Sequence, residues 1–198
     1  MKTVNSVMLL ETLREQTREI ILQAEQLKKL PVETLEKNPA KDKWNVAQVL
    51  EHLNIYSRYY LDTIEKKIHH NQSTAKAYFT PGWLGNYFTK LMQPENNGVI
   101  KKKMKAPANA IPVASPNAKE MLDEFIKHQH HLLNLLQIAK RHDINKNRIA
   151  ISIAKLITLK LGDTFRFVIA HQQRHFIQIE NTLKAVKAAL PKQEQVLV

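Results

Sequence analysis

Apolar side chains recur three and four residues apart along four long stretches of the chain, which is the spacing of amphipathic α-helices. The first stretch, residues 4–30, carries Leu10, Leu13, Ile20, Ala24 and Leu27, with Pro31 just beyond its end. The second opens at Trp44, where Asn45 predicts an N-cap and Gln48, three residues on, completes a capping box with it. Its stripe of Val49, Leu53, Tyr56, Tyr60, Ile64 and Ile68 runs to about residue 70. The third starts near Pro116, with Asn117 and Glu120 as a second capping box, and passes through Met121, Leu122, Phe125, Leu132, Leu135 and Leu136 to about Arg141. The fourth spans about 161–189 on Leu161, Phe165, Val168, Ile179 and Val186, and Pro191 ends it.

The stretches between them break this period. Residues 31–43, with Pro31, Asn38, Pro39 and Asp42, read as a polar connection. Residues 71–116 form the longest irregular stretch, holding Pro81, Gly82, Pro94, Gly98, Pro107, Pro112 and Pro116, with a short helix predicted over Trp83 to Met92. Connections of this length inside a compact domain tend to carry function or to move, and Tyr78, Phe79, Trp83, Tyr87 and Phe88 give this one apolar surface to pack. Lys101, Lys102, Lys103 and Lys105 read as a solvated charge run. Residues 143–160 join the third helix to the fourth, and Ile149, Ile151, Ile153, Leu156, Ile157 and Leu159 predict an extended, packed segment. Four long helices around one core make an all-α four-helix bundle with a long irregular connection between helices two and three, read as one domain over residues 1–198.

Composition narrows the chemistry. The 198 residues include no cysteine, which excludes a disulfide framework, thiolate metal ligands and a protein thiol nucleophile, so a metal would take nitrogen or oxygen ligands. Thirty Lys and Arg against eighteen Asp and Glu give a net charge of +12, which attracts acidic partners. The basic residues are spread over all the helices and are not interleaved with aromatics, so the charge reads as solvated surface and a nucleic-acid partner is not expected. No apolar run reaches membrane-spanning length, and Glu11 and Arg14 interrupt the N-terminal apolar stretch that a secretory signal would need, so a cytoplasmic location without a membrane partner is expected.

The candidate chemistry lies in histidines. His171 and His175 are four apart, so their rings stack on one face of the last helix, in register with its apolar stripe. A buried ring nitrogen without a partner costs about 1–3 kcal/mol. The core must therefore supply either a hydrogen bond or a metal ion, and the spacing leaves both open. On the second helix His52 falls three after Val49 and four before Tyr56, on or beside the stripe. His69, His70 and His142 sit at helix C-termini, where a cation offsets the dipole. His128, His130 and His131 on the third helix read as exposed, although 128 and 131 share a face.

Two segments carry a family resemblance. The run from Trp44 to Leu53 resembles the W-x3-Q-x3-H-L opening of helix two in the DinB-like (damage-inducible) superfamily, and His171 to Ile179 is similar to its H-x3-H-x2-Q-I signature on the last helix. The resemblance implies a divalent metal held by His52, His171 and His175. Three neutral imidazoles suit zinc, nickel or iron(II) and leave a coordination position open, as in catalytic zinc sites. It further implies a metal-dependent hydrolase, or a transferase using a low-molecular-weight thiol such as bacillithiol, mycothiol or glutathione, acting on a small-molecule substrate. In a chain without cysteine that thiol would be a cosubstrate. Gln48, Gln172 and Gln178 are candidates to fix the outer imidazole nitrogens. No general base stands out: Glu51 lies about 100° around the helix from His52, and Glu180 is five beyond His175. The alternative is a non-catalytic, metal-stabilised bundle, as a homodimer, that sequesters a ligand or responds to stress. A DNA-binding role finds no helix-turn-helix or stacking surface.

Overall fold

The computed structural model describes residues 2–70, 73–94 and 104–189, so Lys101, Lys102 and Lys103 of the charge run lie outside the described residues. In chain order it contains β1 (Val4–Asn5), α1 (Ser6–Leu27), α2 (Val32–Glu36), α3 (Val46–His70), β2 (Tyr78–Phe79) and α4 (Trp83–Met92). A 3-10 turn (Ala108–Ala110), α5 (Ala118–Ala139), β3 (Arg148–Ile151), β4 (Ala154–Lys160) and α6 (Leu161–Ala188) follow. The protein is all-α in class, and the strands are two short antiparallel ladders, β1 with β2 and β3 with β4.

α3 and α5 begin where their capping residues place them. Asn45 Oδ1 accepts from Gln48 N at 2.9 Å while Gln48 Oε1 accepts from Asn45 N at 3.0 Å, so both halves of the α3 capping box are formed. Asn117 Oδ1 accepts from Glu120 N at 3.0 Å at the head of α5. α5 and α6 each pack against both α1 and α3, which sets α1 diagonal to α3 and α5 diagonal to α6 in a four-helix bundle. Leu10, Ile20, Leu53, Ile64, Phe125, Leu132 and Phe165 fill the middle with almost no exposure. Each such side chain stabilises the fold by about 1.5–3 kcal/mol. Phe125 and Phe176 meet across the diagonal, with ring centroids 5.5 Å apart.

Three expectations are corrected by the packing. The connection at 31–43 contains α2, whose five residues are too few to show a period; it buries Thr34 and Leu35. The segment 143–160 is a hairpin with register Ile149↔Leu159. It buries Ile149, Ile151 and Leu159 but leaves Ile153 57% and Leu156 99% exposed, because the strand alternation and the tip turn them from the core. His128 is half-buried rather than exposed, and its Nδ1 donates to Asn54 Oδ1 at 3.2 Å. His131 is half-buried beside Glu65, while His130 is exposed as read from the sequence.

The predicted helix over Trp83 to Met92 is α4. It is held to the first turn of α6 by Gly82 N donating to Asp163 Oδ2 at 2.7 Å. Among the described residues no helix is long and apolar enough to cross a membrane.

Candidate metal centre

His52 lies in the second turn of α3, and His171 and His175 lie one turn apart in the middle of α6. The α3–α6 contact brings the three rings together: His171 Nε2 is 3.4 Å from His52 Nε2 and 3.1 Å from His175 Nε2. Two nitrogens each bound to a tetrahedral zinc ion stand about 3.3 Å apart, given bonds of about 2.0–2.1 Å. The cluster therefore already has the spacing of a ligand set, and all three donor atoms lie within 4.8 Å of one another.

The outer nitrogens decide which way the lone pairs face. His52 Nδ1 donates to the carbonyl of Ala110 at 2.7 Å, and His175 Nδ1 donates to Gln178 Oε1 at 2.8 Å. A carbonyl oxygen only accepts, so both protons sit on Nδ1 and both Nε2 lone pairs point at the cluster. A proton on His171 Nε2 serves one of those neighbours and leaves the other without a donor. Burial holds His52 below the usual imidazole range, holds His171 well below it and pushes His175 down to about 3. For His171 and His175 the neighbouring histidines and the charge of Arg174 add to the effect. Three neutral imidazoles facing one point is the protonation state a divalent cation requires.

The surroundings are aromatic. Trp44 and Tyr56 flank His52 at centroid distances of 5.2 and 5.0 Å, Tyr56 lies 4.5 Å from His171, and Phe167 stacks along His171 at 6.1 Å. Burial, and after it the adjacent Tyr60, push the Tyr56 hydroxyl up to about 12, so it stays protonated at neutral pH. The carboxylates stand elsewhere. Glu51 points to Arg58, at 3.2 Å, which also clasps Glu124 at 2.6 Å. Glu180 is exposed beside Lys184. No carboxylate belongs to the histidine group among the described residues.

The three glutamines singled out from the sequence take different places. Gln178 holds His175. Gln48 closes the capping box and donates to Ala114 O at 2.9 Å. Gln172 is buried with its side-chain oxygen unpartnered among the described residues. Sequence reasoning missed the Ala110 carbonyl, a backbone group 58 residues from His52 that carries no side-chain signal. It also missed Tyr56 as a wall of the site, although that residue stands one turn after His52 on the same stripe.

Comparison with known proteins agrees with this geometry at the level of family. The model of the DinB superfamily matches residues 13–179, a span that contains all three histidines. No curated protein and no solved structure matches the chain.

Proposed function

The chain belongs to the DinB superfamily, and from that premise we propose that His52, His171 and His175 hold one divalent metal ion with a free position at which a small molecule is transformed. The observation that carries this reading is the convergence of neutral Nε2 atoms 3.1 and 3.4 Å from one another, two of them fixed as acceptors by the bonds at Nδ1. Zinc, nickel and iron(II) all accept such a nitrogen set. When bound, the ion lowers the pKa of a water or thiol that reaches its free position and polarises an electrophile beside it.

The chain's own contribution is orientation and dryness. Ala110 and Gln178 fix the rings of His52 and His175, while Trp44, Tyr56 and Phe167 pack around the histidines. The histidine group includes no carboxylate to take a proton. Water must fall from a pKa of 15.7 to about 7 to become a useful nucleophile, whereas a free thiol starts at about 8.5. This difference favours a transferase using a small thiol cosubstrate over a hydrolase. The thiol sulfur bonds to an electrophilic carbon, the leaving group departs with its electron pair, and the thiol proton passes to solvent. The same lack of a base favours, as second reading, a metal-stabilised bundle without catalysis.

Elemental analysis of protein produced with zinc, nickel and iron available is expected to find close to one divalent metal per chain, with most of it lost in His171→Ala. A wild-type protein free of metal would overturn the catalytic reading. Turnover of a generic electrophile with and without bacillithiol or glutathione then separates the chemistries: no thiol dependence removes the transferase, and no turnover in either arm leaves the scaffold.

A further inference from the structure

Beside the histidine cluster lies a cavity of about 200 Å³, lined by Ile55, Tyr56 and Tyr59 of α3, Asn109 and Ala110 of the 3-10 turn, and Ser152 at the hairpin tip. Two of these residues also touch the cluster. The Ala110 carbonyl accepts from His52, and the Tyr56 ring lies against both His52 and His171. One aromatic ring and one peptide unit thus separate the cavity from the converging nitrogens. Its walls come from three parts of the chain far apart in sequence, fastened to one another. Asn109 Nδ2 donates to Ser152 O at 3.2 Å, Ser152 N donates to Tyr60 OH at 3.1 Å, and Tyr59 OH donates to Ala150 O at 3.2 Å.

The lining carries no charged side chain. An ion that gives up water for such walls is disfavoured unless a counter-charge meets it, so the walls discriminate against anions and cations alike. The apolar content is one isoleucine, one alanine and two tyrosine rings, and the polar groups are neutral: phenol hydroxyls, a carboxamide and a serine. The volume exceeds the roughly 150 Å³ that accommodates benzene in an engineered cavity, and it falls short of the pockets of about 300–1,000 Å³ that take drug-sized ligands.

We propose that this cavity seats the uncharged body of the substrate, a molecule or moiety about the size of one six-membered ring, with Tyr56 as the partition between it and the metal position. The inference rests on the metal-site reading for its catalytic meaning. The cavity itself is a property of α3, the 3-10 turn and the hairpin. Substrates of this class are neutral aryl or branched alkyl electrophiles; substrates carrying phosphate, carboxylate or ammonium on that moiety are excluded.

The test uses the full chain and three probes of one size, benzyl alcohol, benzoate and benzylammonium, titrated by saturation-transfer NMR at about 0.15 M salt, where surface charges are screened within about 8 Å. Charge preference is read on the metal-free chain, so that a carboxylate cannot bind through an ion. Benzyl alcohol is expected to bind at least tenfold more tightly than either charged probe. Ile55→Trp, which fills the cavity, is expected to abolish binding while the melting temperature and cobalt uptake stay near wild type. Should Ile55→Trp fail to fold, Asn109→Trp closes the same space from an exposed position. Equal affinity for the charged probes, or binding that survives both fillings, overturns the proposal. The visible bands of the cobalt-loaded chain report the metal reading separately. Cobalt uptake without benzyl alcohol binding removes the cavity proposal alone, whereas benzyl alcohol binding without cobalt uptake sustains the cavity and removes the metal site.

Discussion

The proton positions on three imidazoles govern the site, and they depend on groups beyond it. Gln178 accepts the Nδ1 proton of His175, so Gln178→Leu is expected to weaken zinc binding about 10–100-fold, the range seen when an outer partner of a metal ligand is removed. The fold should persist, because Gln178 is only half-buried; competition with a zinc chelator measures the change, and unaltered affinity would show that the bond does not orient the ring. The same burial makes the metal-free chain sensitive to acid. In the unfolded chain these histidines titrate near 6.5, whereas His175 titrates at about 3 in the folded one and His52 and His171 are also lowered. Below about pH 6.5 the unfolded state therefore takes up protons that the folded state refuses, so stability is full above that pH and declines as the pH falls toward 3. The metal-free protein should melt lower at pH 5 than at pH 7.5, and the double variant His171→Asn with His175→Asn should show a shallower fall; an equal slope in both would remove these rings as its source. His171 and His175 were legible because a helix stacks residues four apart, and His52 because it shares a stripe with Val49 and Tyr56. The acceptor that fixes His52 was not, since Ala110 offers only a backbone carbonyl whose position the long connection sets.

Among the elements, α4 is the one most dependent on close approach. A Cβ added at Gly85 would lie 2.2 Å from Asp163 Cγ and 2.4 Å from Asp163 Cβ. Asp163 is fully buried, accepts from Gly82 N and pairs with Arg166 at 2.9 Å, so it cannot swing aside. Gly85→Ala must move α4 off the first turn of α6, at a cost of about 1–3 kcal/mol by analogy with overpacked cores. Urea denaturation is expected to report that loss while metal content stays at the wild-type level, because the histidines stand two turns or more further along α6; a neutral Gly85→Ala would mean that α4 seats loosely. The four long helices were legible because each repeats its apolar period over five turns or more, and α3 and α5 also carry caps that the sequence displays. α2 has too few residues to repeat anything, and in the β3–β4 hairpin a run of isoleucines and leucines concealed that Ile153 and Leu156 face outward. Apolar composition identifies a segment able to pack, but only the register of the strands decides which half of it does.

At the scale of the molecule, the histidines join distant parts of the sequence. His52 and His171 are 119 residues apart and belong to helices that touch, while the turn holding Ala110 closes over them from the connection between α3 and α5. The periodicity of each helix tells which face is buried but not which helix receives it, so the ring in which α5 and α6 each contact α1 and α3 is absent from any one-dimensional reading. That ring makes an ion at the site a cross-link between α3 and α6, present in the folded state and lost in the unfolded one. Free zinc at a hundred times its dissociation constant should then stabilise the fold by about 2.7 kcal/mol. For a chain of this length about 2–4 °C of melting temperature accompanies each kcal/mol, so a rise of about 5–10 °C is expected. His171→Ala should abolish most of the rise, because the two imidazoles left on the neighbouring helices α3 and α6 no longer enclose the ion. Scanning calorimetry of the chelated protein with and without zinc measures it. Equal melting temperatures in the wild type would mean that the nitrogens, though correctly spaced, do not hold the ion in the folded state, and a rise that persists in His171→Ala would place the ion elsewhere on the chain.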